Sequence, residues 1–397
     1  MHRNVVIAGG GPTGLLTALG LARRGISVTV VEAEAEPNSS PRALVYHCSV
    51  LPHLRDLGIL DDCVEAGFWR QEFDWRVHST GEMIRWDIGC LEGIVEFPYA
   101  LHLGQDRLSQ VLLKHLASYP NVSIRYSTPL IDCSQNSDGV RVEVGSAEAR
   151  EIIEAGWLIG ADGAGSRVRR DILKMQFFGV TWPERYVATN TYYDFDSLGF
   201  GRTTMQVDPV YGSVICKIAN PNFWRVTFTE DASVPLDGLE QRIDKVFAEL
   251  LPDRREYKVV AFSPYRMHQR VTDRMYQGRV ILVGDAAHVT NPTGGLGLTG
   301  GMFDSFALVE ALSRIINEGV SHDILDYYDR DRRQKFIELV SPQATRNLEN
   351  LYHLLPGQRR DEWISKTREI AGNRDDMRRA LLFHEQMRTN YKDYDGI

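Results

Sequence analysis

An apolar run, Val5-Val6-Ile7-Ala8, feeds straight into Gly9, Gly11 and Gly14 at G-x-G-x-x-G spacing. That junction leaves few folds open. A continuous apolar run is a strand covered on both faces. Leu15 to Arg24 then reads as a helix closed by Gly25, and Ser27 to Val31 as a second strand ending at Glu32. Gly9 permits the tight turn, Gly11 lets a pyrophosphate approach the backbone, and Gly14 lets helix and strand pack closely. The helix N-terminus offers free N–H groups and a partial positive charge to phosphates. Glu32 stands where a carboxylate accepts hydrogen bonds from ribose hydroxyls. The unit predicts a dinucleotide site, and to this point FAD and NAD fit equally.

Two later motifs narrow the choice. Trp157-Leu158-Ile159-Gly160 reads as a strand that turns sharply at Ala161-Asp162-Gly163, with Ser166, Arg167, Arg169 and Arg170 opening a helix behind it. Gly278 to Val283 reads as a buried strand running into Gly284-Asp285, so Asp285 sits at a strand end, where ligands gather in open α/β sheets. A carboxylate there can hold a sugar-alcohol chain. Asn291 to Gly301 then carries Gly294, Gly295, Gly297, Gly300 and Gly301, a concentration that costs chain entropy unless something flat comes close to the backbone. A helix is predicted from Gly301 onward.

With these three motifs in order, the chain resembles a class A FAD-dependent aromatic-ring monooxygenase of the para-hydroxybenzoate hydroxylase and phenol hydroxylase type, from residue 4 to about residue 330. The resemblance implies an α/β fold, with a Rossmann-like (GR2-type) FAD-binding domain interleaved with an antiparallel β-sheet substrate domain, plus C-terminal helices. It implies FAD as cofactor, with NADPH or NADH as transient reductant, and hydroxylation of an electron-rich aromatic ring through a flavin C4a-hydroperoxide. Residue by residue, it implies that Gly9, Gly11, Pro12, Thr13 and Gly14 cradle the diphosphate and Glu32 the adenosine ribose. Arg42 and Ala43 lie in the loop beside the flavin, and Gln105 at a helix start contacts the cofactor, with Arg107 the alternative register. Asp162 and Gly163 belong to the motif linked to FAD and NAD(P)H. Asp285 holds the ribityl or diphosphate region. Pro292 lies against the flavin near the substrate, while Gly295, Gly297 and Leu298 face the isoalloxazine. The family's usual asparagine in this loop is Thr299 here.

The implied FAD-binding domain covers residues 1–68, 101–175 and 276–330. Residues 69–100 and 176–275, rich in β-branched and aromatic residues, form the substrate domain. Residues 331–397 are charged and helical in pattern, a solvated tail or a packing surface. On the substrate side, Tyr193, Tyr211 and Arg225 are candidates to orient a hydroxyl or carboxylate.

The family chemistry needs a base to deprotonate a phenol, and a histidine suits that near neutral pH. His47, five residues after Arg42, is the candidate; a histidine bonded to backbone in a core turn would look the same. Arg42 and Pro292 complete the catalytic candidates. A flavin oxidase or reductase of the same fold, or a non-catalytic flavin-binding redox sensor, shares the cofactor motifs. The tryptophan-rich WxWxIP signature of flavin-dependent halogenases is absent.

Bulk properties exclude other partners. The chain has 397 residues, net charge −8 and scattered basic residues, which argues against a nucleic-acid partner. No apolar run reaches the length of a membrane span. Four residues precede the first strand, leaving no room for a signal peptide, and five cysteines without a CxxC pair suit free thiols in the cytoplasm rather than a metal site. A small aromatic substrate and a monomer or homodimer are expected.

Overall fold

A computed structural model describes residues 3–37, 43–146, 149–219, 221–251 and 256–395. Arg42 lies outside the described residues. The N-terminal strand Val5–Ala8 is fully buried and sits inside a six-stranded sheet. It pairs in parallel with Val28–Val31 on one side and Trp157–Gly160 on the other. Val280–Leu282 and Val122–Arg125 extend the sheet, again in parallel, and Tyr276–Gln277 closes one edge antiparallel. Burial on both faces explains why these strands are almost wholly apolar. Helix Pro12–Arg23 covers the sheet and packs against helices Leu296–Ser313 and Gln105–Leu116.

Segments distant in sequence share an eight-stranded sheet. Its order is His288–Val289, Lys258–Thr272, Phe177–Tyr192, Phe223–Asp231, Ser213–Ala219, Thr203–Val207, Glu72–Val77 and Glu82–Asp87. The sheet is not antiparallel throughout. Thr203–Val207 runs parallel to Glu72–Val77, because those strands come from separate passages of the chain and need no hairpin between them. One side of the sheet packs Val187, Trp224, Val226 and Phe228 against helix Leu239–Leu250. A small third sheet, Val45–Tyr46, Ala100–His102 and Phe68–Arg70, sits between the two large ones in sequence and carries cavity-lining residues.

The C-terminal region is a packing surface and not a solvated tail. Leu348, Leu351 and Tyr352 are buried with Trp75, Val77 and Tyr186 of the eight-stranded sheet, and Met377 and Leu381 with Cys48, Ile88 and Leu91. Tyr328 donates to the Leu282 carbonyl at the end of a core strand. Among the described residues no helix is long and apolar enough to cross a membrane.

The first turn is packed backbone against backbone. A Cβ on Gly14 would fall 2.1 Å from the Gly9 carbonyl oxygen, and one on Gly9 2.4 Å from that of Ala161. Backbone cannot yield there as a side chain can. Gly14→Ala is expected to lose about 1–3 kcal/mol of stability through overpacking and to lower bound flavin together with the thermal midpoint, measured on the purified protein.

Candidate active site

A cavity of about 1460 Å³ is lined by residues of the six-stranded sheet, the eight-stranded sheet, the small sheet through Ala100–His102 and the C-terminal segment. That exceeds the ~300–1,000 Å³ of a usual small-molecule pocket, so it has room for a large cofactor and a second ligand. Gly9, Gly11, Pro12, Thr13, Glu32, Ala43, His47, Gln105, Asp162, Gly163, Arg225, Asp285, Pro292, Gly295, Gly297 and Leu298 all line it. Gly14 and Thr299 lie behind this surface. Gly14 packs under the first loop, and Thr299 is 1 % exposed with Oγ1 donating to the Gly295 carbonyl. Arg107 is exposed and off the cavity, so Gln105 is the helix-start residue that faces it.

The loops explain themselves locally. Glu32 Oε2 accepts from the Gly10 N–H at 2.6 Å and Oε1 from the Glu34 N–H at 3.0 Å, which ties the strand end to the glycine turn. A Cβ on Gly11 would meet nothing within 4 Å, so that backbone is open to the cavity. Asp162 spends its carboxylate on its own loop, accepting from Ser166 Oγ (2.5 Å) and from the Arg167 and Val168 N–H groups (2.7 and 3.1 Å). Asp285 is exposed to the cavity. The helix after the glycine loop begins at Leu296, five residues earlier than expected from the sequence. Gly294 and Gly295 supply the left-handed turn into it (φ 95° and 70°), while Gly301 lies inside the helix against Thr13 and Gly284. Its N-terminal N–H groups thus reach the cavity, a favourable end for negative charge. The open glycine backbone, the helix termini and the volume suit a flavin dinucleotide.

His47 combines both readings left open by the sequence. Its Nε2 donates to the Gly294 carbonyl at 2.9 Å, and it also lines the cavity. The bond to a carbonyl requires a proton on Nε2, so Nδ1 carries the lone pair. The ring stacks on His384 with centroids 3.6 Å apart and planes 16° off parallel. Burial, and then His384, pull the His47 pKa well below the usual histidine value, with Arg70 adding to the effect and the Gly294 bond opposing it. Burial brings His384 down to about 4. Both rings are neutral at pH 7.

Two of the three substrate-side candidates lie elsewhere. Tyr193 follows the strand end and packs with Phe195 and Trp224 in the core under helix Leu239–Leu250. Tyr211 lies in a turn organised by the Asp208 carboxylate, beside His78 and away from the cavity. Arg225 is on the cavity wall, because odd-numbered residues of its strand face the cavity and Trp224 faces the core. His384 carried no motif, and its approach to His47 depends on the packing of the C-terminal region.

A buried ionic hub anchors that region. Asp304, fully buried, accepts from His288 Nε2 (2.7 Å), Arg332 Nε (2.7 Å) and the Gly284 N–H (3.0 Å). Arg332 in turn donates to the Met387 and Gly300 carbonyls. Burial would raise the Asp304 pKa, but His288 and Arg332 outweigh it and hold it down to about 2. A depressed carboxylate contributes stability above its unfolded pKa of about 3.9 and loses it as pH falls toward the folded value. Wild-type protein is therefore expected to lose this contribution between about pH 4 and pH 2. Asp304→Asn is expected to lose about 3–5 kcal/mol at pH 7 and to lack that acid-dependent component. Urea midpoints across a pH series measure both effects.

Residues 2–342 match the FAD binding domain family. The chain is 64 % identical over 389 residues to 6-hydroxy-3-succinoylpyridine 3-monooxygenase HspB of Pseudomonas putida (strain DSM 28022 / S16), covering 98 % of this chain and 99 % of that one. It is 41 % identical over 388 residues to para-nitrophenol 4-monooxygenase of Pseudomonas sp. (strain WBC-3), covering 96 % and 95 %. The crystal structure of p-nitrophenol 4-monooxygenase PnpA from Pseudomonas putida DLL-E4 superposes with TM-score 0.93 at 38 % identity, over 97 % of this chain and 98 % of that one. Both the matched span and the full-length similarity lead to one assignment: the chain belongs to the FAD binding domain family, as a flavoprotein monooxygenase of the aromatic hydroxylase type, for which NAD(P)H is the typical reductant.

Proposed function

We propose that this protein hydroxylates a hydroxypyridine or phenol at the ring carbon para to its hydroxyl group. The names of two relatives support the position. In 6-hydroxy-3-succinoylpyridine and in para-nitrophenol, the numbered site of oxygenation lies opposite the hydroxyl and already bears a substituent, so the new C–O bond there replaces the bond from that carbon to the substituent, which leaves the ring. Bound FAD would supply the electron transfer and oxygen activation. Gly9, Gly11, Pro12, Thr13, Gly14 and Glu32 would hold its dinucleotide end. Ala43, Gln105, Asp162, Gly163 and Asp285 would serve the middle, and Pro292, Gly295, Gly297, Leu298 and Thr299 the ring end. Arg42, by position in the chain, belongs with Ala43.

The observation that carries the catalytic reading is His47 on the cavity wall with Nδ1 as its acceptor atom. Nδ1 takes the proton of the ring hydroxyl, which pushes electron density to the para carbon and makes it more nucleophilic. The Gly294 carbonyl holds the tautomer. His384 holds the ring plane and keeps water off one face. Leu381 and Phe383 from the same segment add apolar wall. Free thiols at all five cysteines suit a reducing compartment such as the cytoplasm.

The test supplies FAD-loaded protein with NADPH or NADH, 6-hydroxy-3-succinoylpyridine or para-nitrophenol, and 18O-labelled dioxygen. One labelled oxygen in the ring product is expected. Substrate-independent NAD(P)H consumption that yields only hydrogen peroxide would support an oxidase instead. His47→Gln is expected to lower kcat about 10²–10⁴-fold with KM little changed. Because its pKa lies below the usual 6.5, His47 should cause no acid limb in kcat/KM between pH 6.5 and 8. His384→Ala, which admits water to His47, should raise that limb toward neutral pH.

A further inference from the structure

Arg70 is a buried cation that the proton transfer at His47 does not use. It ends the strand Phe68–Arg70, is 7 % exposed and lines the cavity. Its Nε donates to His102 Nε2 at 2.6 Å and its Nη1 to the Glu72 carbonyl at 2.8 Å. The guanidinium also lies 5.3 Å from the centre of the Phe73 ring. His102 Nδ1 donates to the Lys217 carbonyl at 3.2 Å, so Nε2 presents its lone pair to Arg70 and to the Thr203 hydroxyl, 3.0 Å away. Burial, and then Arg70, hold His102 far below its usual pKa, so this partner is neutral. The two acids of the adjoining strand, Glu72 and Asp74, are both bound to Arg85, at 3.2 and 2.9 Å, and Asp74 acts on Arg70 only from beyond ion-pair distance. Among the described residues Arg70 has no ion pair, and Nη2 has no hydrogen-bond partner. A buried charge without an ion-paired counter-charge is costly, and here the cavity is where one can arrive.

Register places this cation relative to the base. Across the small sheet Arg70 pairs with Ala100, and Tyr46 with Leu101. His47 follows in extended conformation (φ −70°, ψ 153°), which carries it to the level of Ala100 on the opposite side from Arg70. The two residues are therefore two strand spacings apart, roughly 10 Å between backbones, on either side of Ala100. A second guanidinium lies on the eight-stranded sheet. There Thr203, Cys216, Arg225 and Asn190 form one cross-strand row on the cavity wall, and Thr203 joins that row to His102.

We propose that Arg70, with Arg225 on the neighbouring sheet, is the subsite for a carboxylate carried by the substrate's para substituent. The ring then lies across Ala100, with its hydroxyl at His47 and its anionic arm at Arg70. This rests on the hydroxylase reading above and narrows its substrate class to hydroxylated aromatic rings with an acidic side arm.

Binding without reductant separates the two claims. FAD-loaded protein is titrated with 6-hydroxy-3-succinoylpyridine, its methyl ester and 3-succinoylpyridine, and the flavin absorbance change reports affinity. The acid is expected to bind about tenfold or more tightly than the ester, the effect of one charge-assisted hydrogen-bonded pair. Arg70→Met should remove most of that preference, leaving at most the share of Arg225, with ester affinity unchanged. Arg70→Gln, which keeps a donor for His102, should do the same if the methionine variant misfolds. 3-Succinoylpyridine, without the hydroxyl, should keep an Arg70-dependent affinity. Equal binding of acid and ester by wild type, or equal weakening of both by the variants, overturns the subsite and leaves the hydroxylase reading to its isotope test. An effect of Arg70 confined to hydroxylated ligands also overturns it, since the cation would then serve the ring oxygen. Failure of all three compounds to perturb the flavin overturns the proposal and counts against these ring systems as substrates.

Discussion

The buried carboxylate of Asp304 is the point on which the active-site architecture hangs. One oxygen takes the N–H of Gly284, at the start of the Gly284-Asp285 turn, together with His288 Nε2, and the other takes Arg332. Arg332 passes the connection to the Met387 carbonyl, and so fixes the segment that carries His384. His384 stacks on His47, and His47 closes the circuit on the Gly294 carbonyl of the glycine loop. Four passages of the chain are thereby held in one arrangement around the cavity. A buried ionic cluster contributes little net stability compared with apolar packing, because desolvation offsets attraction. Its directional hydrogen bonds do select one geometry, and this site needs one geometry more than it needs stability.

Charge is distributed in the cavity by the same logic. The two stacked histidines are neutral because burial disfavours their charged forms, which leaves His47 able to receive a proton rather than already holding one. Arg70 cannot escape in that way, since a guanidinium stays protonated even where burial pulls it down to about 10. A neutral base and an obligate cation at opposite ends of a short strand row create polarity along a cavity that Ala100, Met205 and Val214 also line.

Much of the cofactor side was legible in the sequence because its determinants are local. Gly9, Gly11 and Gly14 lie within one turn, and Glu32 is one strand further on. Asp162 and Asp285 each follow a buried strand directly. Their backbone roles depend on neighbours a few residues away. Even there, local reading misjudged a boundary: the helix predicted from Gly301 starts at Leu296, because glycines inside it serve close packing against Thr13 and Gly284. The substrate side was less legible. Tyr193 and Tyr211 had the right chemistry, but their surroundings are set by the strand end and by the Asp208 turn, which turn both away from the cavity. Arg225 faces the cavity through strand parity, which the sequence carries only once register is known.

By itself, then, the sequence determined a dinucleotide-binding α/β unit, the order of its three loops, the aromatic-hydroxylase class and a histidine worth testing. The α/β unit and its loops follow from spacing and from the steric demands of glycine, which act over a few residues, while the class and the histidine follow from the resemblance of those motifs to a known family. Only the tertiary structure decided that the C-terminal segment brings His384 onto His47, that Asp304 binds Gly284, His288 and Arg332, and that Arg70 and His47 flank Ala100. Those contacts join residues up to hundreds of positions apart. They are set by which buried charges find partners and which sheet edges meet, and neither is written in any local pattern.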